Sequence, residues 1–429
     1  MNWDFLIKDK DSLCVSTDTR NLPAGCVFFA LHGERFDGNK FALQALEQGA
    51  SLAVIDDPEV YLQVQQSLSP QGDLQGAADL PRLLLVEDTL LALQDLARAW
   101  RRELGLPIIG ITGTNGKTTT KELLATVLST KYNLHYTQGN LNNQIGVPLT
   151  LLQITRAHEL AIVEMGASHP GDIKELVYIA EPNYGLITNV GRAHLEGFGS
   201  FEGVQRTKQE LYDYLLAHNG TIFRNADNPF LAAMENHATQ LYTTLHHATP
   251  LLHHATQLYT TGSMPSGTHL VGEYNAENVS AAICVGEYFG ISPETALDAI
   301  RQYVPTNNRS QAMQTASNQL IVDAYNANPT SMQAAINAFK GDTYILGAMR
   351  ELGEYSHLEH QNIVNMLAER KADTVFLVGE EYLQTTSPYL VFENVVQLHK
   401  HFEEQPLKGK NILLKGSRST QMEKLLDIL

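Results

Sequence analysis

Short apolar runs alternate with longer amphipathic stretches from the start of the chain. The strand-like runs of the first hundred residues are Cys26–Leu31, Leu52–Ile55 and Arg82–Val86. Leu90–Leu104 instead has apolar residues at helical spacing, and it ends at Gly105 and Pro107, which are typical of a helix end and a linker. The pattern predicts a first α/β domain over residues 1–105.

A second block has the pattern of a parallel sheet. Its short apolar runs each end in polar residues, and they are Ile108–Thr112, Leu160–Glu164 and Gly185–Val190. Helical patterns lie between them, including one over Thr118–Tyr132 and one over Gly203–Leu215. Because parallel strands need helical crossovers, this alternation predicts a second α/β domain with a mainly parallel sheet over residues 106–304.

The last block repeats a strand-then-helix unit four times. The predicted strands are Leu320–Ala324, Thr343–Gly347, Thr374–Gly379 and Asn411–Lys415. The predicted helices are Ser331–Phe339, His357–Arg370, Val395–Glu404 and Thr420–Ile428. This alternation predicts a doubly wound, Rossmann-like domain over residues 305–429. No G-x-G-x-x-G follows any of these strands, so the pattern does not imply a dinucleotide cofactor.

One polar segment, at about residues 236–261, is duplicated. HATQLYTT occurs at His237–Thr244 and again at His254–Thr261. Two copies are too few for a solenoid. The intervening histidines could bind a metal, and they are His246, His247, His253 and His254. No carboxylate or thiol stands nearby to support such a site, which favours a solvated or poorly ordered loop.

Composition narrows the class of protein. Hydrophobic residues make up 43% and charged residues 18% of the 429 residues, a balance typical of a folded globular protein. The net charge of −17 argues against a nucleic-acid binder. Neither a signal peptide nor an apolar run long enough to cross a bilayer is apparent. The three cysteines Cys14, Cys26 and Cys284 fit no disulfide framework, so we expect reduced thiols in a cytoplasmic protein.

A glycine-rich loop at Gly113–Thr119 has the composition of a phosphate-binding site. It follows a predicted strand and precedes a predicted helix, a context in which backbone amides and the helix N-terminus attract phosphate. The standard P-loop has a further glycine where this chain has Ile111. The residues expected to contact the nucleotide are Gly113, Thr114, Asn115, Gly116, Lys117, Thr118 and Thr119, with Lys117 on the terminal phosphates and Thr118 on Mg²⁺.

Three polar residues around the second block are further candidates. Glu164 ends a predicted strand, at the side where α/β sheets place their sites, and His194 lies in the loop after the next strand. Lys208 lies on the predicted helix Gly203–Leu215. Spacing alone leaves two interpretations open for each of them, either a functional group or a structural capping or hydrogen-bonding residue.

A series of motifs along nearly the whole chain resembles, in the same order, those of the Mur ligases. These are ATP-dependent amide-bond-forming enzymes of cell-wall precursor synthesis. The segments that carry the resemblance are STDTR at Ser16–Arg20, FFALHGERFDG at Phe28–Gly38, GTNGKTT, GNLNNQIGVPLTLL at Gly139–Leu152, VEMGASHPGDI at Val163–Ile173, AHLEGFGSFEGV at Ala193–Val204, VDAYNANPTSM at Val322–Met332 and KGSRSTQME at Lys415–Glu423. The GNLNN, EMGASHPG and AYNANP segments are most similar to the branch of the family that adds the terminal dipeptide.

The resemblance implies three domains, for a UDP-linked substrate, for ATP, and for ligation. It implies ATP and Mg²⁺ as cofactors, with Thr118, Glu164, His194 and a carbamylated Lys208 at the metal. Lysine is ordinarily a cation, whereas its carbamate is an anionic oxygen donor that suits Mg²⁺. Asn275 and Asn278 resemble the adenine-side motif of the family, while Arg309 and Asp323 resemble residues that hold the nucleotide.

The implied substrates are UDP-N-acetylmuramoyl-tripeptide and D-alanyl-D-alanine, joined through an acyl phosphate by a monomeric enzyme. The implied substrate-binding residues are Asp18, Thr19 and Arg20 for the uridine diphosphate and Asn140, Asn143, Asn326, Asn328, Lys415, Ser417 and Arg418 for the peptides. The catalytic set is Lys117, Glu164, His194, Lys208 and Arg309. Another amide ligase of the superfamily, which could add the third wall residue or make folylpolyglutamate, and a non-catalytic nucleotide-binding relative remain alternatives.

The resemblance also carries one departure. Between Asn225 and Gly272 the family places further strand-forming sequence, where this chain has the duplicated His-rich segment. We therefore expect the secondary sheet of the central domain to be truncated or replaced there.

Overall fold

A computed structural model describes residues 1–34, 36–68, 82–234, 255–306 and 309–429. These residues form two compact units. The first unit comprises residues 1–110, 132–165 and 174–183, and the second comprises residues 111–131, 166–173 and 184–429. The predicted domain boundaries at residues 105 and 305 stay a prediction.

Strands and helices alternate through both units, as the hydrophobic pattern predicts. The strands are β1 (Val15–Ser16), β2 (Val27–Phe29), β3 (His32–Gly33), β4 (Phe36–Asp37), β5 (Leu52–Ile55), β6 (Leu83–Leu85), β7 (Ile108–Thr112), β8 (Leu134–Tyr136), β9 (Leu160–Glu164), β10 (Tyr184–Ile187), β11 (Thr221–Asn225), β12 (Ala255–Tyr259), β13 (Gln311–Gln314), β14 (Gln319–Asp323), β15 (Thr343–Gly347), β16 (Thr374–Val378), β17 (Leu390–Phe392) and β18 (Asn411–Lys415). The helices are α1 (Asp4–Ile7), α2 (Ala42–Glu47), α3 (Pro58–Leu68), α4 (Thr89–Leu104), α5 (Lys117–Leu128), α6 (Gly146–Leu152), α7 (Asp172–Ala180), α8 (Leu195–Phe198), α9 (Phe201–Ala217), α10 (Ala276–Tyr288), α11 (Pro293–Gln302), α12 (Pro329–Ala338), α13 (Ser356–Glu369), α14 (Glu380–Leu383) and α15 (Val395–Glu404).

The first unit contains a parallel sheet in the order β1-β2-β5-β6. Strands β2 and β5 are buried along their whole length, which explains why their sequences are continuous apolar runs. Phe28, Leu46 and Ile55 belong to the core that covers this sheet. The same unit also holds β8, β9 and the start of β7, in the order β8-β9-β7.

Helix α4 shows why the chain forms a helix at this point and stops. The Asp88 side chain accepts a hydrogen bond from the Leu91 amide at 2.8 Å, and Gly105 ends the helix with φ 64°. Trp100 is fully buried on the apolar face, and its indole nitrogen donates to the Ile154 carbonyl at 2.8 Å. The buried indole therefore keeps a hydrogen-bond partner.

The second unit contains the end of β7 followed by β10, β11 and β12. Strands β10, β11 and β12 pair in parallel, and helix α10 packs against α5. A further sheet follows in the order β13-β14-β18-β15-β16-β17. It is parallel except for the edge strand β13, which runs antiparallel to β14.

Two separate cores cover the β13–β18 sheet. One contains Ile336 of α12 and Leu367 of α13, and the other contains Leu398 and Phe402 of α15. Buried side chains of the strands belong to both cores, so apolar residues face two layers of helices. The predicted Rossmann-like, doubly wound arrangement of this part of the chain is confirmed.

The predicted helix Thr420–Ile428 is wrong. The segment forms two short 3-10 turns, Arg418–Thr420 and Met422–Leu425. Gln421 between them has φ 52°, a left-handed conformation that a continuous right-handed helix does not contain. The apolar spacing that suggested a helix instead buries Met422 and Leu425 against the sheet.

Part of the duplicated segment forms a strand. The first copy and the four histidines His246, His247, His253 and His254 lie outside the described residues. Ala255–Tyr259 of the second copy is β12, in parallel register with Thr221–Asn225. The predicted solvated loop is therefore wrong for these residues, because Tyr259 is buried and its carbonyl accepts from the Ala226 amide at 2.7 Å.

Two of the three cysteines lie side by side. Val15 stands opposite Val27 in the register of β1 and β2, and the two preceding residues, Cys14 and Cys26, have Cα atoms 4.5 Å apart, whereas Cys284 is separate from them. The expectation of reduced thiols stays a prediction. Within the described part of the chain, no helix has the length and apolar character of a membrane span.

Candidate active site

The phosphate loop joins β7 to α5, as predicted, and two glycines make its turn possible. Gly113 has φ 143° and Gly116 has φ 78°, conformations that residues with side chains rarely adopt. A Cβ atom on Gly113 would lie 2.0 Å from the Thr188 hydroxyl oxygen, and one on Gly116 would lie 2.6 Å from Asn278 Oδ1. Only glycine therefore fits at these two positions.

The chain after β10 fixes the phosphate loop in place. The Thr114 amide donates to the Asn189 carbonyl at 3.0 Å, and the Asn115 amide donates to Asn189 Oδ1 at 3.0 Å. The Thr188 hydroxyl donates to the Asn115 carbonyl at 2.6 Å. Sequence reasoning missed Thr188 and Asn189, although their position directly after a buried strand was a usable signal.

Lys117 lies over the loop that it follows. Its ammonium donates to the carbonyls of Gly113 at 2.6 Å and Thr114 at 3.1 Å. Lys117 and Thr118 are the first two residues of α5, and Thr118 is largely buried. The positive end of the helix and the ammonium are thus together beside the loop, as binding of a phosphate group requires.

Asn275 and Asn278 support the start of α5 through a chain of hydrogen bonds. The Thr120 hydroxyl donates to Asn278 Oδ1 at 3.0 Å, and Asn278 Nδ2 donates to Asn275 Oδ1 at 3.0 Å. Asn275 Nδ2 then donates to the Val271 carbonyl at 2.8 Å. Both asparagines are buried, so their contacts in the structure are with the protein, and their expected contact with adenine stays a prediction.

Lys208 lies on α9, whose first turn is capped by the Ser200 hydroxyl accepting from the Gly203 amide at 3.1 Å. Only 2% of the lysine is exposed. Burial, with the neighbouring Lys117 charge, holds the pKa of Lys208 well below its ordinary value of 10.5, although Asp172 and Glu210 act in the opposite direction. Burial therefore makes the neutral form of this amine easier to reach than that of an exposed lysine.

His194 follows β10 in a left-handed conformation, with φ 51°. Its Nδ1 atom contacts Oε2 of Glu351, a residue in the loop after β15. The hydrogen bond with His194 lowers the pKa of Glu351 and outweighs the opposing effect of burial. Sequence reasoning missed Glu351, because nothing in its local pattern indicates a contact with a residue so distant along the chain.

Glu164 belongs to the first unit, where it ends β9 and is almost fully buried. Its amide donates to the Thr137 hydroxyl at 3.0 Å, and its Oε1 accepts from Asn142 Nδ2 at 2.8 Å. Asn142 lies between the predicted residues Asn140 and Asn143 but was itself missed. Asn140 is exposed, whereas Asn143 Oδ1 accepts the amides of residues 145 and 146 at the start of α6.

The predicted metal ligands suit Mg²⁺ in chemistry. Thr118 offers a hydroxyl, Glu164 a carboxylate and His194 an imidazole, while the neutral Lys208 amine is the form that reacts with CO₂ to give a carbamate. In the described residues, no three His, Cys, Asp or Glu side chains cluster as a metal site.

Two predicted residues with different expected roles pair with each other. Asp323 ends β14 and Lys415 ends β18, and the parallel register places them side by side. Lys415 Nζ lies 2.5 Å from Asp323 Oδ2 and also donates to the Asn326 carbonyl at 3.2 Å. Lys415 is only 1% exposed, so its ion pair with Asp323 holds the ends of β14 and β18 together.

A cavity of about 290 Å³ lies beside these strand ends. Its lining includes the predicted residues His194, Asn326, Asn328, Ser417 and Arg418, together with Tyr325, Arg350 and Glu351. The Arg309 guanidinium stacks 3.9 Å from the centre of the Tyr325 ring, with Arg418 at 5.9 Å on the same ring. The structure thus gathers most of the predicted C-terminal residues around one cavity, and Tyr325 joins them.

Asn328 links this cavity to the phosphate loop. Its Oδ1 accepts from the Ser331 amide at 2.9 Å and caps α12, while its Nδ2 donates to Asn115 Oδ1 at 2.8 Å.

In the first unit, the predicted residues Asp18, Thr19 and Arg20 form a local group. Arg20 Nε donates to both Asp18 oxygens at 3.0 Å, and this hydrogen bond lowers the pKa of Asp18 to about 2.

A phosphate loop on a parallel sheet, followed by a Rossmann-like sheet with polar strand ends, defines a nucleotide-using α/β enzyme. Sequence profiles of Mur ligases match three segments: the family catalytic domain at 14–101, the middle domain at 111–286 and the glutamate ligase domain at 308–418. The chain belongs to the Mur ligase family, which consists of ATP-dependent ligases. The predicted α/β fold with mainly parallel sheets is confirmed.

Named relatives and solved structures match over almost the whole chain. The UDP-N-acetylmuramoyl-tripeptide–D-alanyl-D-alanine ligase of Bacillus subtilis is 35% identical over 96% of this chain and 92% of its own length. A crystal structure of MurF from Acinetobacter baumannii has 29% identity and a TM-score of 0.78 over 96% of this chain and 92% of that one. The MurF ligase from Thermotoga maritima in complex with ADP has 25% identity and a TM-score of 0.80 over 98% of both chains.

Proposed function

We propose that this protein joins D-alanyl-D-alanine to UDP-N-acetylmuramoyl-tripeptide with ATP, as a step of peptidoglycan precursor synthesis in the cytoplasm. The observation that carries the proposal is the phosphate loop with the Lys117 ammonium over it. The buried Lys208 lies close enough for the Lys117 charge to lower its pKa. The full-length similarity to ligases of that name supports the choice of substrates. We further propose three domains, 1–105, 106–304 and 305–429, and these bounds agree with the segments matched by the family profiles. We propose that the protein acts as a monomer.

In this proposal the amides of Gly113–Thr119 and the Lys117 ammonium hold the ATP phosphates, while Arg309 and Asp323 hold the rest of the nucleotide from the C-terminal part. Asn275 and Asn278 keep the adenine side in place. Thr118, Glu164, His194 and carbamylated Lys208 would hold Mg²⁺, which when bound offsets the negative charge of the phosphates. The neutral amine of Lys208 attacks CO₂ and releases one proton to solvent, so that an uncharged amine becomes an anionic carbamate with oxygen donors.

The chemistry proceeds in two displacements. A tripeptide carboxylate oxygen attacks the γ-phosphorus of ATP, giving an acyl phosphate and ADP. The dipeptide amine then attacks the acyl carbon, loses a proton and expels phosphate as the amide bond forms. Lys117 offsets the repulsion between the two anions of the first step, and this preorganised charge lowers the barrier.

Substrate binding is divided along the chain. We propose that Asp18, Thr19 and Arg20 bind the uridine diphosphate, and that Asn140, Asn326, Asn328, Ser417 and Arg418 bind the peptide parts. Asn143 and Lys415 serve the same substrates indirectly, because the first caps the turn into α6 and the second is paired with Asp323. The cavity beside Tyr325 offers room of about 290 Å³ for the reacting ends of the peptides.

Release of ADP by the purified chain tests this function. We expect rapid release only when ATP, Mg²⁺, the UDP-linked tripeptide and D-alanyl-D-alanine are all present. Lys117→Ala is the control, since it removes the ammonium over the loop and should lower the rate by at least about 100-fold. Failure of D-alanyl-D-alanine to stimulate ADP release in the presence of the tripeptide would contradict the proposal.

A further inference from the structure

The loop that carries His194 is held by residues of two helices that pack on the β13–β18 sheet. The Arg192 amide donates to the Thr330 hydroxyl of α12 at 3.0 Å. The Arg192 guanidinium also donates to Glu359 of α13 at 3.0 Å, and that carboxylate is only 2% exposed. Helices α12 and α13, which lie far from the loop in sequence, therefore both hold it at Arg192.

Glu351 makes the contact that reaches His194 itself. Its Oε2 atom meets His194 Nδ1, and its carbonyl accepts a hydrogen bond from the Glu196 amide at 3.4 Å. Both Glu351, with φ 60°, and His194, with φ 51°, adopt the left-handed conformation. Such conformations cost free energy and persist where neighbouring contacts determine them, and here the two strained residues contact each other.

A carboxylate at Nδ1 determines which ring nitrogen of a neutral histidine carries the hydrogen. Nδ1 must donate to the Glu351 carboxylate, so the lone pair is left on Nε2. Histidine ligands of metals are commonly oriented in this way by a carboxylate on the other nitrogen, and its loss weakens metal binding by about 10–100-fold. Glu351 is 58% exposed and His194 32% exposed, so the two left-handed backbones and the Glu196 hydrogen bond, rather than burial, hold the carboxylate at Nδ1.

We propose that Glu351 is a positioning residue: its carboxylate fixes the ring and tautomer of His194, so that Nε2 is presented to the metal of the ATP site. The proposal rests on the metal role of His194 in the proposed function. It makes metal binding depend on the loop after β15, and thus couples the Rossmann-like sheet to the nucleotide site.

Titration of the full chain with Mn²⁺, followed through the EPR signal of the free ion, tests the proposal without turnover. We expect His194→Ala and Glu351→Ala each to weaken Mn²⁺ binding about tenfold. Glu351→Gln keeps a carbonyl oxygen that accepts from Nδ1, so its affinity should stay within about threefold of the unchanged chain. Glu354→Ala removes an exposed carboxylate of the same loop and is the matched control, with no change expected.

The double variant separates positioning from general destabilisation. If Glu351 acts through His194, Glu351→Ala should add no further loss in the His194→Ala background. Unchanged Mn²⁺ affinity in Glu351→Ala, an equal loss in Glu354→Ala, or additive losses in the double variant would overturn the proposal. Unchanged affinity in His194→Ala would instead contradict the metal role in the proposed function, and thermal unfolding of each variant identifies any that fail to fold.

Discussion

Lys208 combines a cost in stability with a proposed catalytic use. Its amine is buried, and its pKa lies well below the ordinary lysine value of 10.5 because of that burial. The folded chain therefore binds this proton less tightly than the unfolded chain does. As pH falls below about 10.5, protonation of this lysine in the unfolded chain therefore increasingly lowers the free energy of unfolding. Burial favours the neutral amine, which is the form that reacts with CO₂.

Lys208→Met should therefore separate stability from activity. Methionine keeps the length and apolar stem of the side chain but removes the buried amine, so we expect the thermal unfolding midpoint at pH 7, without metal or CO₂, to rise by about 2–4 °C. ADP release in the complete reaction should be lost. A lower unfolding midpoint would contradict the stability cost of the buried amine, and turnover that survives the substitution would contradict its catalytic use.

Asn142 is the residue that the structure adds to the predicted set of the first unit. Its amide donates to Glu164 Oε1 at 2.8 Å, and we expect Asn142→Ala to leave that carboxylate less well oriented. The Mg²⁺ concentration for half-maximal ADP release should rise about tenfold. Gln138→Ala, an exposed residue of the same segment, is the control and should leave this concentration unchanged. Equal Mg²⁺ dependence of both variants would contradict the role of Asn142.

The site residues that sequence reasoning reached are those in motifs, and those it missed act through contacts between distant segments. Lys117 and Thr118 were indicated by a local loop pattern, and Lys208 by resemblance. Glu351 was not, because its importance comes from its contact with His194. Lys415 was assigned directly to substrate because a pattern does not reveal its partner, Asp323.

Among the elements, the phosphate loop depends most strictly on its backbone. Gly113→Ala would place a Cβ atom 2.0 Å from the Thr188 hydroxyl oxygen, so the loop would have to shift. We expect ADP affinity, measured by calorimetry, to fall at least about tenfold, since the amides that surround the phosphates move with the loop. Gly105→Ala also replaces a glycine of positive φ, but nothing lies within 4 Å of its Cβ, and it should leave ADP affinity unchanged. Equal affinities for the two variants would contradict this account of the loop.

The paired ends of β14 and β18 give a second prediction at this scale. Lys415→Met leaves Asp323 mostly buried without its cation, which should lower stability by about 3 kcal/mol. Adding Asp323→Asn should recover part of that loss, because the uncompensated charge is then removed. Urea unfolding of the two variants measures the difference. If Lys415→Met changed only the KM for the peptides and left unfolding unaltered, Lys415 would contact substrate directly after all.

Elements buried on both faces could be predicted from sequence with correct ends. Ile108–Thr112 and Thr343–Gly347 are buried at every position, so their apolar runs start and stop where the strands do. Short edge strands such as Gln311–Gln314 are only partly buried and have no such run. At Thr420–Ile428 the apolar spacing was that of a helix, but one left-handed residue, Gln421, divides the segment into two turns.

At the scale of the whole molecule, similarity over 96% of the chain to a named ligase agrees with the site built from its residues. The phosphate loop, the buried Lys208 and the cavity beside Tyr325 belong to the second unit, whereas Glu164 and the residues expected to bind uridine diphosphate belong to the first.

The mass of the product tests the central claim most directly. The purified chain is incubated with ATP, Mg²⁺, the UDP-linked tripeptide and D-alanyl-D-alanine, and the products are resolved by mass spectrometry, once with diaminopimelate and once with lysine as the third residue. We expect one new species with the combined mass of tripeptide and dipeptide less one water, formed in step with ADP. ADP formed without this species, or the addition of a single amino acid in place of the dipeptide, would contradict the account.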